Sequence, residues 1–126
     1  QEYAPPVQYA PVAPTQAYQQ QAYYQLIPQR NNLGLPVISL PTPGNYRLGR
    51  TPSANVQLVV PSPHVSSEHL WITINPDNSV VVEDVGSTNG TRINGIGLPP
   101  RQLQALHVGQ TLQLGHDEVA YTLQRG

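Results

Sequence analysis

The stretch Leu70-Trp71-Ile72-Thr73-Ile74-Asn75-Pro76-Asp77-Asn78-Ser79-Val80-Val81-Val82-Glu83-Asp84 decides the fold class. Leu70, Ile72 and Ile74 fall on one side of an extended chain, with Trp71 and Thr73 on the other. A period of two is the side-chain repeat of a strand, whereas a helix would need apolar residues three and four apart. Asn75 to Ser79 is a run of turn formers, and Val80-Val81-Val82 beyond it leads into Glu83-Asp84. Two short strands joined by a turn are the simplest reading. Trp71, opposite Leu70 and Ile72, either packs on a second sheet or stands as an exposed contact, and both remain open.

The same pattern extends in both directions. Upstream, Val56, Leu58 and Val60 alternate with Gln57 and Val59, and Tyr46 and Leu48 alternate with Arg47. Val37-Ile38-Ser39-Leu40 comes before the turn signal Pro41-Thr42-Pro43-Gly44. Downstream, Leu112 and Leu114 alternate with Thr111 and Gln113, and Val119, Tyr121 and Leu123 close the series. Asn94-Gly95, between Arg92-Ile93 and Ile96, is the dipeptide that a tight hairpin turn prefers, because both central residues need positive φ. Short strands between Gly, Pro, Asn and Asp clusters predict an all-β sandwich or barrel over residues 35–126. No window carries a helical period.

Residues 1–30 follow other rules. Over residues 1–29, Gln, Pro, Ala and Tyr fill 23 positions, and only Val7, Val12, Leu26 and Ile27 are branched aliphatics. Such a segment buries too little apolar surface to offset an ordering entropy of roughly 1–2 kcal/mol per residue. It is expected to be a disordered, low-complexity linker of extended, polyproline-type conformers. Self-association through its Tyr and Gln residues, or capture as a Pro-rich ligand, are the sharper alternatives. Thr15 is the only threonine in this tail, which makes it a candidate for self-recognition by the domain across about 20 residues of linker.

Composition excludes several functions. The 126 residues include six basic and seven acidic ones, for a formal net charge of −1, so no long-range field gathers nucleic acid or an anionic membrane. There is no Cys, which removes disulfides, thiolate nucleophiles and Cys-bearing zinc sites. His64, His69, His107 and His116 lack a tight ligand spacing, so neither a metal nor a cofactor is expected. No apolar run approaches the ~20 residues of a spanning helix. Met is absent and the chain begins at Gln1, so it is expected to be the C-terminal part of a longer protein.

Three polar clusters fall in the predicted loops: Gly49-Arg50, Ser66-Ser67-Glu68-His69, and Gly86-Ser87-Thr88-Asn89-Gly90-Thr91. They combine a fixed cation, hydroxyls, an amide and glycine-rich backbone N–H groups. That inventory suits an anion with hydrogen-bonding oxygens, above all a phosphate. Ser66, His69 and Asp84 invite comparison with a hydrolase triad, but no strand-to-helix nucleophile elbow accompanies them. No catalytic residue is assigned.

Over about residues 35–126 the sequence resembles the forkhead-associated (FHA) domain, a phosphothreonine-peptide-binding module with a two-sheet β-sandwich fold. The resemblance rests on Gly49-Arg50, on Ser66-x-x-His69, on the run from Asp84 to Gly95, and on Gly109 with Leu112-x-Leu114-Gly115. It implies that Arg50 and Ser66 hold the phosphate, with Ser67 beside them. Thr88 would add a contact near the phosphate, and Asn89 would bond the peptide main chain. Gly49, His69, Gly86, Gly90, Asn94 and Gly95 would be architectural, with His69 bracing the loops. The family's preference for threonine implies a small pocket for the γ-methyl group. This chain departs from the pattern at Ser67, where the family often has Arg or another polar donor, and at His64, where a basic residue can assist. It also has Ala54-Asn55-Val56 where Asn-Asp-Ile is common.

The expected function is therefore a non-enzymatic, phosphothreonine-dependent interaction module in Ser/Thr-kinase signalling. Its partner would be a Thr-phosphorylated protein made by an upstream kinase, with no nucleic acid and no membrane contact by this segment. A cytoplasmic location is expected, with a membrane tether through an upstream segment as an option. A low-complexity linker ahead of such a domain resembles the architecture of bacterial, including cyanobacterial, envelope or cell-differentiation proteins. The alternative is a phosphorylation-independent scaffold for self-assembly or anchoring.

Overall fold

In the computed structural model, which describes residues 24–30 and 33–126, burial follows the period-two pattern. Along Leu70–Ile74 the residues alternate between buried and half-buried, and Val80–Asp84 repeats the alternation. The strands in chain order are β1 (Tyr24–Pro28), β2 (Ile38–Leu40), β3 (Gly44–Gly49), β4 (Leu58–Val59), β5 (Leu70–Ile74) and β6 (Val80–Asp84). They continue with β7 (Thr91–Ile93), β8 (Ile96–Gly97), β9 (Gln104–Ala105), β10 (Thr111–Leu114) and β11 (Ala120–Arg125). The described residues form no helix. One sheet has the order β2-β1-β11-β10-β7-β8, and the other has β4-β3-β5-β6-β9. All neighbours are antiparallel except β3 and β4.

One core lies between the two sheets. Leu48, Leu70, Ile72, Ile74 and Val82 from one sheet meet Leu26, Leu40, Leu112, Leu114, Tyr121 and Leu123 from the other. Each large aliphatic buried here contributes roughly 1.5–3 kcal/mol relative to exposure. The hairpin between β7 and β8 turns at Asn94-Gly95, with φ of 50° and 82°, as the dipeptide requires. Trp71 fits neither expected role. It lies half-buried on the outer face, and the Arg47 guanidinium sits 3.9 Å from its ring centroid.

The linker boundary needs correction. Residues 1–23 lie outside the described residues, but Tyr24–Pro28, placed in the linker by composition, forms β1. This strand is internal to its sheet, paired with β2 on one side and β11 on the other. Tyr24, Leu26 and Pro28 face inward. The sandwich includes residues ahead of 35, at least from residue 24, because β1 pairs with a strand about a hundred residues away. Local composition does not carry that information.

Register also gives the sandwich two distinct ends. Gly49, Leu70 and Asp84 lie at one, and Gly44, Ile74 and Val80 at the other. The Tyr24 hydroxyl donates to the Asn78 carbonyl at 2.7 Å, which places the start of β1 at the second end.

Candidate functional site

The three polar clusters converge at the first end. Gly49 closes β3, and a Cβ built on it would lie 1.9 Å from the Ser67 carbonyl oxygen. Only glycine permits this approach of the β4–β5 loop to the end of β3. The Arg50 N–H then donates to the Ser66 carbonyl at 2.9 Å, fixing the loops side by side. The Arg50 guanidinium is held from behind, donating to the Val65 carbonyl and the Ser67 hydroxyl, each at 3.2 Å. Glu68, the nearest acid in sequence, is engaged by Arg47 and Asn55. Arg50 therefore keeps its charge for something else.

Ser66 links the β4–β5 loop to the β6–β7 loop. Its hydroxyl oxygen accepts the Thr88 N–H at 2.9 Å, which leaves the hydroxyl proton available to an acceptor. Asn89 adds a second link, with its Nδ2 donating to the His64 carbonyl at 3.1 Å. His64 is held in turn by a third loop. A Cβ on Gly115 would lie 2.0 Å from the His64 carbonyl oxygen, and the His64 and His116 rings stack with centroids 4.3 Å apart.

Below this surface, His69 is fully buried. Its Nδ1 accepts the Ser66 N–H at 3.0 Å, so Nδ1 carries no proton. Nε2–H then faces the Gly90 carbonyl and the Thr91 hydroxyl oxygen, both at 3.1 Å. The Thr91 hydroxyl donates in turn to Asp84 Oδ2 at 2.6 Å. Asp84 also accepts the N–H groups of Gly86 and Ser87 at 2.8 Å and the Ser87 hydroxyl at 2.6 Å. Burial pushes the Asp84 carboxyl up, but the Ser87 and Thr91 hydroxyls and the two loop N–H groups outweigh it and hold the group below its ordinary range. Burial is the dominant influence on His69 and lowers its pKa, against the hydrogen bond to Gly90 and the field of Asp84. The imidazole is neutral, and its 3.9 Å approach to Asp84 is a contact across Thr91 rather than an ion pair. No proton relay to Ser66 exists here, because His69 meets Ser66 at the backbone N–H and not at the hydroxyl.

Arg50, Ser66, Ser67, Thr88 and Asn89 line one cavity of about 240 Å³, completed by Pro63 and Val65. His69 and Asp84 sit beneath it, and Gly49, Gly86 and Gly90 shape its loops. Asn94 and Gly95 do not reach it, since they belong to the β7–β8 hairpin. The sequence motifs did not point to Pro63 or Val65, and they included Gly115 without giving its reason. Only the close approach at Gly115 reveals its role, and that depends on residues more than forty positions apart.

The sequence profile of the FHA domain matches residues 46–115, more than half of the chain. The chain belongs to the FHA domain family. It is similar in structure to the FHA domain of CT664 from Chlamydia trachomatis, at 27% identity and a TM-score of 0.70, covering 82% of this chain and 97% of that one. A complex of Mycobacterium tuberculosis EmbR with a low-affinity phosphopeptide matches at 24% identity and a TM-score of 0.66, covering 87% of this chain but 26% of that one. The N-terminal FHA domain of S. cerevisiae Rad53p, bound to a phosphothreonine peptide, matches at 18% identity and 0.66, covering 82% and 94%. No curated protein sequence matches. FHA domains are interaction modules, and no helix among the described residues of this one is long and apolar enough to cross a membrane.

Proposed function

We propose that the domain binds Thr-phosphorylated peptides in the cavity between the β3–β4, β4–β5 and β6–β7 loops. The observation that supports this most strongly is the Arg50 guanidinium, which has no ion pair among the described residues and is held by Val65 and Ser67 beside a Ser66 hydroxyl whose proton is available. A phosphate there receives two charge-assisted contacts from groups that need little reordering. Thr88 lies next to the phosphate and Asn89 bonds the peptide main chain. Pro63 and Val65 supply the apolar wall for a threonine γ-methyl group. On this reading an upstream Ser/Thr kinase makes the ligand, and the domain works in kinase signalling. The chain itself acts by equilibrium binding, without catalysis.

The test is amide chemical-shift mapping with a Thr-phosphorylated peptide library and its unphosphorylated control. Saturable shifts at Arg50, Ser66, Thr88 and Asn89 with the phosphorylated set alone support the proposal. Equal or absent shifts in both sets reject it.

A further inference from the structure

Arg101 lies in the β8–β9 connection with φ of +64°, a left-handed backbone conformation that arginine adopts rarely. Two prolines, Pro99 and Pro100, come before it, and the turn is formed by Pro100 and Arg101. A proline followed by a positive-φ residue is a turn arrangement in which the second place normally goes to glycine or asparagine. Arginine there is strained, and strain of this kind clusters at functional positions.

The surroundings specify what the side chain does. The Arg101 N–H donates to the Asp84 carbonyl at 2.8 Å, and the Leu98 N–H donates to the Thr91 carbonyl at 2.9 Å. The connection is thus fastened to both ends of the β6–β7 loop that carries Thr88 and Asn89. The Arg101 guanidinium lies over Gly86, with Nη2 3.4 Å from where a Cβ would stand. The obvious carboxylate, Asp84, is unavailable, because both its oxygens are taken by Gly86, Ser87 and Thr91. Among the described residues the guanidinium makes no hydrogen bond and no ion pair. Arg101 is an exposed cation that lies against the β6–β7 loop at Gly86.

From this we infer that Arg101 is a specificity-determining residue that selects a second anionic group on the bound phosphopeptide. The inference rests on the proposed function above. Gly86 precedes Thr88 by two residues, a span of at most about 7 Å. An extended peptide advances ~3.3 Å per residue, so the second anion lies about two to four residues from the phosphothreonine. An Asp or Glu side chain and a second phosphate share the required chemistry, and the guanidinium fork suits either.

The experiment titrates the full chain with Thr-phosphorylated peptides having alanine flanks. Asp or phosphoserine replaces alanine, one position at a time, up to four residues on either side. At one position wild-type protein should bind the Asp peptide about two- to fivefold more tightly than the alanine peptide, as expected for an exposed pair. The phosphoserine peptide should gain more if a second phosphate is the natural ligand, and the gain should shrink with added salt. In Arg101→Gly the ratio should fall to about one while thermal stability stays equal or rises, because glycine adopts this φ without strain. Arg101→Lys should retain part of the ratio. A wild-type ratio of one at every position, or a ratio that survives Arg101→Gly, overturns the inference while phosphate-dependent binding stands. Absence of binding to any phosphopeptide overturns both.

Discussion

At the scale of the residue, His69 and Gly49 carry more of the account than their chemistry suggests. His69 is neutral in the fold, with its proton on Nε2 and the Ser66 N–H on its other nitrogen. Its folded pKa is below the ordinary value near 6.5. As pH falls below that value the unfolded chain takes up a proton that the folded chain refuses, so stability is complete above about 6.5 and declines on acidification. The slope contributed by one such group is at most about 1.4 kcal/mol per pH unit. Urea midpoints between pH 7 and 5 should therefore fall, and the slope should flatten in His69→Gln. Asp84, lowered in the same direction, extends the loss below its ordinary value of 3.8. For Gly49, the 1.9 Å approach to the Ser67 oxygen means that Gly49→Ala must move the β4–β5 loop. A cost of about 1–3 kcal/mol in stability is expected from such overpacking, together with weakened phosphopeptide binding, both measurable on one purified variant. The Gly49-Arg50 pair was legible as a motif, but its reason was not. The clash that excludes a Cβ involves a residue eighteen positions away.

At the scale of the element, legibility tracked how local the cause of each strand is. β5, β6, β10 and β11 alternate strongly enough to be read without partners, and Asn94-Gly95 fixes its own turn through backbone preference. β1 was lost because Gln25, Leu26 and Ile27 are embedded in low-complexity sequence, and what orders them is the ladder to β11. β9 (Gln104–Ala105) was lost because two residues with one apolar side chain carry no period. Trp71 stayed undecided since its partner, Arg47, lies on the neighbouring strand β3. β1 gives a direct prediction. Leu26→Ala, in a fully buried position, should cost about 2–5 kcal/mol. A Leu26→Ala midpoint like that of the parent would remove β1 from the core.

At the scale of the whole molecule, the sandwich separates its site from the start of its first strand. Arg50 and Ser66 lie beyond the Gly49–Asp84 end, and β1 begins at the other, beside Asn78. Thr15 lies outside the described residues, and the spacing expected for its self-recognition needs revision. Only nine positions separate it from Tyr24 instead of about 20. Even fully extended, nine residues span at most about 32 Å, and the span starts at the end of the sandwich away from Arg50 and Ser66. Phosphorylated Thr15 should therefore leave the amide shifts of Arg50, Ser66 and Asn89 unchanged in dilute protein. Shifts that persist on dilution would show that the tail reaches its own site. The lining of the cavity was the most legible part of the chain, because the polar groups that a phosphate would need stand in unbroken runs of the sequence. Arg101 escaped that reading, since its proximity to Gly86 is made by the fold alone. The central claim is that the Arg50 guanidinium reads a phosphate, and the most direct measurement is a peptide-affinity cycle. Wild type and Arg50→Ala are each titrated with one peptide in its Thr-phosphorylated and unphosphorylated forms. The account predicts that phosphorylation strengthens wild-type binding, and that Arg50→Ala removes about 2–4 kcal/mol of this gain with an unchanged circular dichroism spectrum. An equal phosphate-dependent gain in both proteins would contradict it.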